Sequence, residues 1–261
     1  MREGGGARIS RLPKPLQRPA LRLRDALPAA LTRRLPVTYV YRSDGLATAH
    51  RSPFLDEPEF NRLFWNIAHR WAGGPVDLRW RVWLLSQCAR QCTVLDGGFV
   101  EFGVYRAASA YMILAWVGLP AGTTFHLFDT FTGIPPTGLT DPEVEAGFEG
   151  GHADTTVSEV EDFLAAWRDQ TILVVGDVFD TVVEVETGPL AFVHLDLNAA
   201  GPTRAALDYA YRRLVPHGII VFDDYGWTGY DDQRRVIDHY FVGRSEAILA
   251  LPTGQAIVVK H

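Results

Sequence analysis

Phe99-Val100-Glu101-Phe102-Gly103-Val104-Tyr105-Arg106-Ala107-Ala108-Ser109 is the stretch that decides the fold. A short apolar run carrying one carboxylate enters a glycine, then passes into alanine-rich sequence with apolar residues at helical spacing. The pattern predicts a strand, a tight turn and a helix N-terminus. Gly103 supplies a backbone able to turn sharply and to let a ligand approach closely. The start of the helix offers free N–H groups and a partial positive charge. Glu101, beside the turn, is an acceptor suited to ammonium or hydroxyl donors.

The glycine count separates two ligand classes. A dinucleotide site reads G-x-G-x-x-G, because a pyrophosphate must sit against bare backbone. Here Val104, Tyr105, Arg106 and Ala107 follow Gly103, so that fingerprint fails. One strand acid followed by one glycine suits a ligand without a pyrophosphate, such as S-adenosylmethionine (SAM).

Working outward, 261 residues hold one large α/β domain plus an extension, and 47% hydrophobic residues allow a sizeable core. No apolar run reaches the roughly 18 residues that span a bilayer, and no signal-peptide core is present, so a cytoplasmic protein is expected. Cys88 and Cys92, four apart on a predicted helix, read as helix-face thiols. The net charge of −6 hides an asymmetry: residues 1–42 carry net +8, so the remainder carries −14. An acidic body argues against nucleic acid as partner. The glycine- and proline-containing basic arm is expected to be disordered at its extreme end and otherwise to fold over the acidic body of its own chain or of a neighbouring subunit in a homo-oligomer.

A short helix is expected over 21–35, and extended chain over 37–42. Phe60, Leu63, Phe64, Ile67 and Ala68 predict an amphipathic helix, and a second is expected over 77–95. Residues 1–76 then form an arm and helical lid or oligomerisation extension, and residues 77–261 the main domain. Within it, strands at 99–103, 124–129, 171–176, 190–196 and 218–223 alternate with helices near 107–117, 156–168, 202–214 and 231–242. Such alternation implies a parallel sheet covered on both faces. Glu246–Leu251 and Ala256–Lys260, either side of Pro252-Thr253-Gly254-Gln255, predict a closing antiparallel hairpin. A mainly parallel seven-stranded sheet ending in such a hairpin is the Rossmann-like class I methyltransferase architecture.

Ligands of open α/β sheets sit beyond the strand carboxyl ends, and each end here carries an acid. Asp129, twenty-six residues after Gly103, is placed to accept from both hydroxyls of a ribose, or to cap the turn at Thr130. Asp177 reads equally as an adenine contact and as a helix cap. Asp196, Asp223 and Asp224 would repel one another strongly without a cation. Mg²⁺, which favours carboxylates, waters and a substrate oxygen, fits that triplet.

Val100 through Arg106, Leu127-Phe128-Asp129-Thr130-Phe131-Thr132-Gly133-Ile134-Pro135 and Val221-Phe222-Asp223-Asp224-Tyr225-Gly226 resemble the macrocin/mycinamicin O-methyltransferase family over roughly residues 77–261. That family methylates sugar hydroxyls of antibiotics with SAM and Mg²⁺. The resemblance implies that Glu101 and Gly103 hold the methionine end of SAM and Asp129 its ribose; Ser109, Phe131 and Asp177 are the further cofactor-binding residues expected. It implies Asp196, Asp223 and Asp224 as metal ligands. Two positions depart from the family: Ala107 stands where it has glycine, and Asn198 where it has an acid. The expected function is Mg²⁺-assisted methylation of a hydroxyl on a small metabolite, a sugar or natural-product moiety. The catalytic residues expected are Asp196, acting through the ion, and His152 in the loop Gly150–Thr155 as general base. The competing readings are a SAM-binding protein without catalysis and, less compatible with the missing glycines, a nicotinamide oxidoreductase.

Overall fold

The computed structural model describes residues 38–261. The expected helix over 21–35 and nearly all of the basic arm lie outside the described residues. Two compact units part between Pro53 and Phe54. In the smaller unit, β1 (Tyr41–Ser43) and β2 (Leu46–Thr48) pair antiparallel around Asp44-Gly45. Both turn residues have positive φ, +51° and +68°, the twist that two-residue hairpins favour and that Asp-Gly supplies.

In the larger unit, α1 (Pro58–Asn66) and α2 (Arg79–Cys92) precede the sheet. Phe60 packs edge-on against Trp83 and Trp116 at centroid distances of 5.1 and 5.2 Å, so aromatic area holds α1 and α2 to the domain. Then come β3 (Gly98–Phe102), α3 (Ala108–Met112), β4 (Phe125–Asp129), α4 (Asp141–Glu145), α5 (Val157–Phe163), β5 (Thr171–Val175), α6 (Val178–Glu184), β6 (Leu190–Leu195), α7 (Ala200–Arg213), β7 (Leu214–Phe222), α8 (Asp231–Phe241), β8 (Leu249–Ala250) and β9 (Ala256–Val259). The sheet order is β5-β4-β3-β6-β7-β9-β8. The ladders from β5 to β7 are parallel, and β9 runs antiparallel to both β7 and β8. The mainly parallel seven-stranded sheet with its C-terminal hairpin is therefore present. Strand order reverses between β3 and β6, which is where open α/β sheets bind ligands.

Helices cover both faces. Leu85 and Ala89 of α2, Ala110 of α3 and Val160 of α5 pack on the side of Phe99, Phe192 and Val221. Val178 of α6, Ala206 and Leu207 of α7 and Ile237 of α8 pack on the side of Val100, Val193 and Phe222.

Several elements differ from expectation. The helix expected over 107–117 keeps its α form only to Met112 and widens into a π-helical turn, Ile113–Val117, that ends at Gly118. The segment expected over 156–168 breaks at Leu164 into a short 3₁₀ turn. β7 begins at Leu214, four residues early, and absorbs an irregularity before Ile219. Two short helices, α4 and α6, escape the periodicity reading. α6 is seven residues of which three are valine and one threonine, β-branched residues with weak helix preference. Among the described residues no helix is long and apolar enough to cross a membrane.

Candidate active site

Neighbouring strands bring the acids together by register. Glu101 of β3 lies opposite His194 of β6, and His194 opposite Val221 of β7. Side chains alternate along a strand, so Glu101 shares the face of Phe99, His194 that of Phe192, and Asp223, just past β7, that of Val221. This is the face on which α2 packs.

His194 is fully buried and donates from Nδ1 to Glu101 Oε1 at 2.9 Å. Its Nε2 lies 3.5 Å from Asp223 Oδ1, an ion-pair contact longer than a good hydrogen bond. Burial alone would lower the imidazole pKa, but Asp223 and Glu101 on either side outweigh it and raise it to about 10. Burial raises the Glu101 carboxyl, and His194 opposes that shift. Glu101 Oε2 is buried with no hydrogen-bond partner.

Asp223 is the most engaged of the acids. Its Oδ1 accepts from Gln255 Nε2 at 2.8 Å, and its Oδ2 lies 2.5 Å from Arg81 Nη1. Burial opposes its ionisation, yet the Arg81 guanidinium and His194 hold its carboxyl well below the usual carboxylate range. Asp224 receives less: Arg81 Nη1 stands 3.6 Å from its Oδ1, and its Oδ2 is buried without a partner. Burial and the Asp223 charge push it up to about 7. Burial and the facing Asp223 and Asp224 charges also push Asp196 well above its ordinary range. Among the described residues, His194, Asp196 and Asp223 have ligand atoms that all lie within 4.8 Å of one another. The expected triplet thus converges, with Asp224 outside the tightest group and His194 inside it. His194, inside β6, is as buried as a core residue yet stands among the acids.

The cofactor side is built on the turn after β3. Gly103 has φ +86°, and a Cβ there would stand 1.9 Å from the Asp196 carbonyl oxygen. The close approach that requires glycine is therefore to the chain's own β6 end. Asp129 Oδ2 accepts from the backbone N–H groups of Val104 and Tyr105, and Oδ1 from that of Phe131, all at 2.7 Å. Asp129 pins the two turns together and keeps lone pairs for further donors. Ala107, at φ +58°, precedes α3, and Ser109 sits half-buried in its first turn. Phe131 packs its ring into the α2–α3–α5 side of the core. Asp177 caps α6, its side chain accepting from Phe179 N at 3.0 Å, so the capping reading describes its observed contact.

His152 sits in its loop at φ +62°, its ring 5.1 Å from that of Tyr105. Tyr105 donates its hydroxyl to Asp154 at 2.7 Å, and Arg106 pairs with the same carboxylate at 2.7 Å. Among the described residues, no hydrogen bond or ion pair ties His152 to Asp196, Asp223 or Asp224. Sequence reading missed Arg81, Gln255 and Tyr230. Tyr230 is pushed up to about 12 by burial and by the charges of Asp224 and Asp196, and its ring lies 5.4 Å from that of Phe148. One signal for Arg81 exists: it is a lone charge on the stripe of Leu85 and Cys92, both buried.

Comparisons with known proteins place the chain in a family. Residues 79–245 match the Macrocin-O-methyltransferase (TylF) family. An 8-demethyl-8-(2,3-dimethoxy-alpha-L-rhamnosyl)-tetracenomycin-C 4'-O-methyltransferase of Streptomyces olivaceus is 28% identical over 140 residues, 50% of this chain and 54% of the relative. The chain thus spans about half the length of that curated relative. The O-methyltransferase NovP superposes with a TM-score of 0.66 at 16% identity, covering 79% of this chain and 98% of its own. CalS11, a calicheamicin methyltransferase, gives 0.60 at 21% identity over 81% and 94%. Both share the fold. Because the matched segment is more than half of the sequence, the chain belongs to the macrocin O-methyltransferase (TylF) family.

Proposed function

We propose that the chain is a SAM-dependent O-methyltransferase that acts, with the assistance of Mg²⁺, on a hydroxyl of a sugar or other natural-product moiety. The observation that carries the reading is the convergence of Glu101, Asp196, Asp223 and Asp224 at the reversal of strand order, in a chain of this family. The tetracenomycin relative, named for methylating a rhamnosyl group, supports the substrate class.

The donor fits the residues present. Glu101 Oε2 is a buried acceptor without a donor, and the ammonium of a methionine moiety would satisfy it. Asp129, held rigid by three backbone N–H groups, retains acceptor capacity for ribose hydroxyls. Gly103 shapes the turn between them, and Ser109, Phe131 and Asp177 would complete the cofactor set. A divalent ion also fits. Among the described residues the cations paired with these four carboxylates, counting Glu101, are Arg81 and His194, and Asp224 Oδ2 is buried without a hydrogen bond. Asp196, Asp223 and Asp224 would hold the ion, which would supply Lewis acidity toward a nearby hydroxyl.

SAM supplies a methyl group on a sulfonium, for in-line transfer to the acceptor oxygen. The chain's part is alignment and proton removal. Asp196, which faces solvent in part, would act on the acceptor hydroxyl through the ion it helps to hold. His152 would serve as the base, reached by movement of its loop. Phe148 and Tyr230 form an aromatic wall at the same rim for the acceptor.

Incubation with SAM and a panel of deoxysugar glycosides tests the reading. Release of S-adenosylhomocysteine (SAH), together with methylation of an acceptor oxygen seen by mass spectrometry, is expected. Absence of SAM and SAH binding by calorimetry would overturn it. Asp196→Asn should lower turnover by about 10²–10⁴-fold. His152→Ala with a comparable loss would place the base in the loop.

A further inference from the structure

Arg81 reaches the acid cluster from outside the strands. It stands in the first turn of α2, and 142 residues separate it in sequence from its partner Asp223. Its side chain is 13% exposed. One guanidinium nitrogen, Nη1, serves Asp223 Oδ2 at 2.5 Å and Asp224 Oδ1 at 3.6 Å. The guanidinium carbon lies 4.9 Å from the Trp227 ring centroid, so the group is held from its face as well.

A single fixed positive charge is thus shared by two carboxylates that the site would also offer to a divalent ion. A guanidinium donates in one plane and cannot leave its stem, so it satisfies the outer oxygen of Asp223 and leaves Asp224 Oδ2 unpaired. An ion entering among Asp196, Asp223 and Asp224 meets this charge at the distance of a direct neighbour. It must either displace the guanidinium from Asp223 or bind against its repulsion.

We propose that Arg81 is an internal counter-cation that competes with the divalent ion for Asp223 and Asp224, so that the placement of α2 sets the metal affinity of the site. Arg81 is a positioning residue in this role. The inference rests on the metal-assisted reading above. A purely structural tie between α2 and the rim makes the opposite prediction, because losing it would loosen the ligand set.

The test is Mn²⁺ binding to the full chain, followed by electron paramagnetic resonance of the free ion, in wild type, Arg81→Gln and Arg81→Lys. Arg81→Gln is expected to bind Mn²⁺ about tenfold or more tighter, since a neighbouring like charge has been removed. Arg81→Lys keeps the charge and is expected to bind no tighter than wild type. Equal or weaker binding in Arg81→Gln overturns the proposal, as does absence of Mn²⁺ binding in all three proteins. Tighter binding in Arg81→Lys overturns it too, which keeps the test decisive if the glutamine variant does not fold. Thermal melting adds a second readout: without metal Arg81→Gln should melt below wild type, and saturating Mn²⁺ should raise it more than it raises wild type. A deficit that Mn²⁺ leaves untouched overturns the proposal. SAH calorimetry on the same proteins separates the two levels of the argument. Normal SAH binding without Mn²⁺ tightening removes only the counter-cation role, whereas wild type that binds no SAH removes the methyl-transfer reading itself.

Discussion

The His194 imidazole bridges Glu101 and Asp223, at 2.9 Å from one carboxylate and 3.5 Å from the other, with no exposure to solvent. It links the acid expected to meet the donor to an acid expected to meet the metal, across three adjacent strands. The link has a pH signature. The His194 pKa rises from 6.5 to about 10 on folding, so its contribution is full below 6.5 and is lost as pH climbs through 10. Asp224, raised from 3.8 to about 7, acts in the same direction at lower pH, because the folded state binds the proton that the unfolded state has released. Asp223, whose pKa is lowered, acts oppositely and loses its contribution only as pH falls below its ordinary 3.8. The metal-free protein is therefore expected to lose melting temperature as pH rises from about 4 to 10. Asp224→Asn should flatten the lower part of that decline and His194→Gln the upper part. A wild-type melting temperature that stays level between pH 6.5 and 10 would remove the charged-imidazole account.

Gly103 and Gly229 provide a matched comparison. Both have positive φ, +86° and +99°, but a Cβ at Gly103 would strike the Asp196 carbonyl oxygen, while at Gly229 nothing lies within 4 Å. Gly229→Ala should cost only the left-handed backbone penalty, about 1–2 kcal/mol. Gly103→Ala adds overpacking worth about 1–3 kcal/mol more, and the shift it forces falls on Asp196. Chemical denaturation should show the larger loss at Gly103, with SAH affinity reduced there alone. Equal losses would show that the β3 turn can move away from β6.

The strand–turn–acid sequence was legible because it is local: Glu101 and Gly103, or Asp129 and Thr130, sit within one turn of chain. The sheet class followed from alternation, and the hairpin from Pro252-Thr253-Gly254-Gln255, with β8 shorter than expected. What could not be read depends on register and helix crossing. His194 looks like a strand interior until β3 and β7 place carboxylates on either side of it. Gln255 enters because β9 lies beside β7. Arg81 meets Asp223 only once α2 is packed on that face. Asp129 shows the converse, since its acid was found but its bonds to the Val104 and Tyr105 amides were not. The α4 helix did have a local signal: Thr140 and Glu143 form a capping box.

Ala107 departs from glycine at a position whose φ is +58°. Replacing it with glycine would relieve a left-handed penalty of about 1–2 kcal/mol. Against that stands the loss of one buried methyl group, worth about 0.8 kcal/mol. The two nearly cancel, so Ala107→Gly should change stability by less than about 1 kcal/mol. Ala110, equally buried but within α3, loses both helix preference and methyl burial, and Ala110→Gly should cost about 1.5–2 kcal/mol. Denaturant midpoints of the two variants check the contrast. A cost at Ala107 matching that at Ala110 would mean that the left-handed turn is unstrained.

Glu143 is buried, and one carboxylate serves two helix starts. Its Oε2 accepts from Thr140 N at 2.9 Å, closing the α4 capping box, and its Oε1 accepts from Ala200 N at 2.8 Å, at the head of α7. Thr140 in turn donates to Asp232 at 2.6 Å, in the first turn of α8. The α4 segment is thereby fastened to two helices whose preceding loops carry Asp196 and Asp224. Gly201 and Gly138 lie so close that a Cβ on Gly201 would stand 2.3 Å from the Gly138 oxygen. Glu143→Ala removes both hydrogen bonds and leaves one buried and one part-buried N–H group unpaired, an expected loss of about 2–4 kcal/mol. Glu143→Gln retains a single acceptor oxygen, so it can serve one helix start and should lose about half as much. Because the break lies between α4 and the acid-bearing loops, turnover should fall in Glu143→Gln while SAH affinity, set at the β3 and β4 turns, stays near wild type. Calorimetric SAH binding alongside steady-state rates checks this split. A variant that weakens SAH as much as turnover would show that Glu143 supports the whole rim and not its acceptor side.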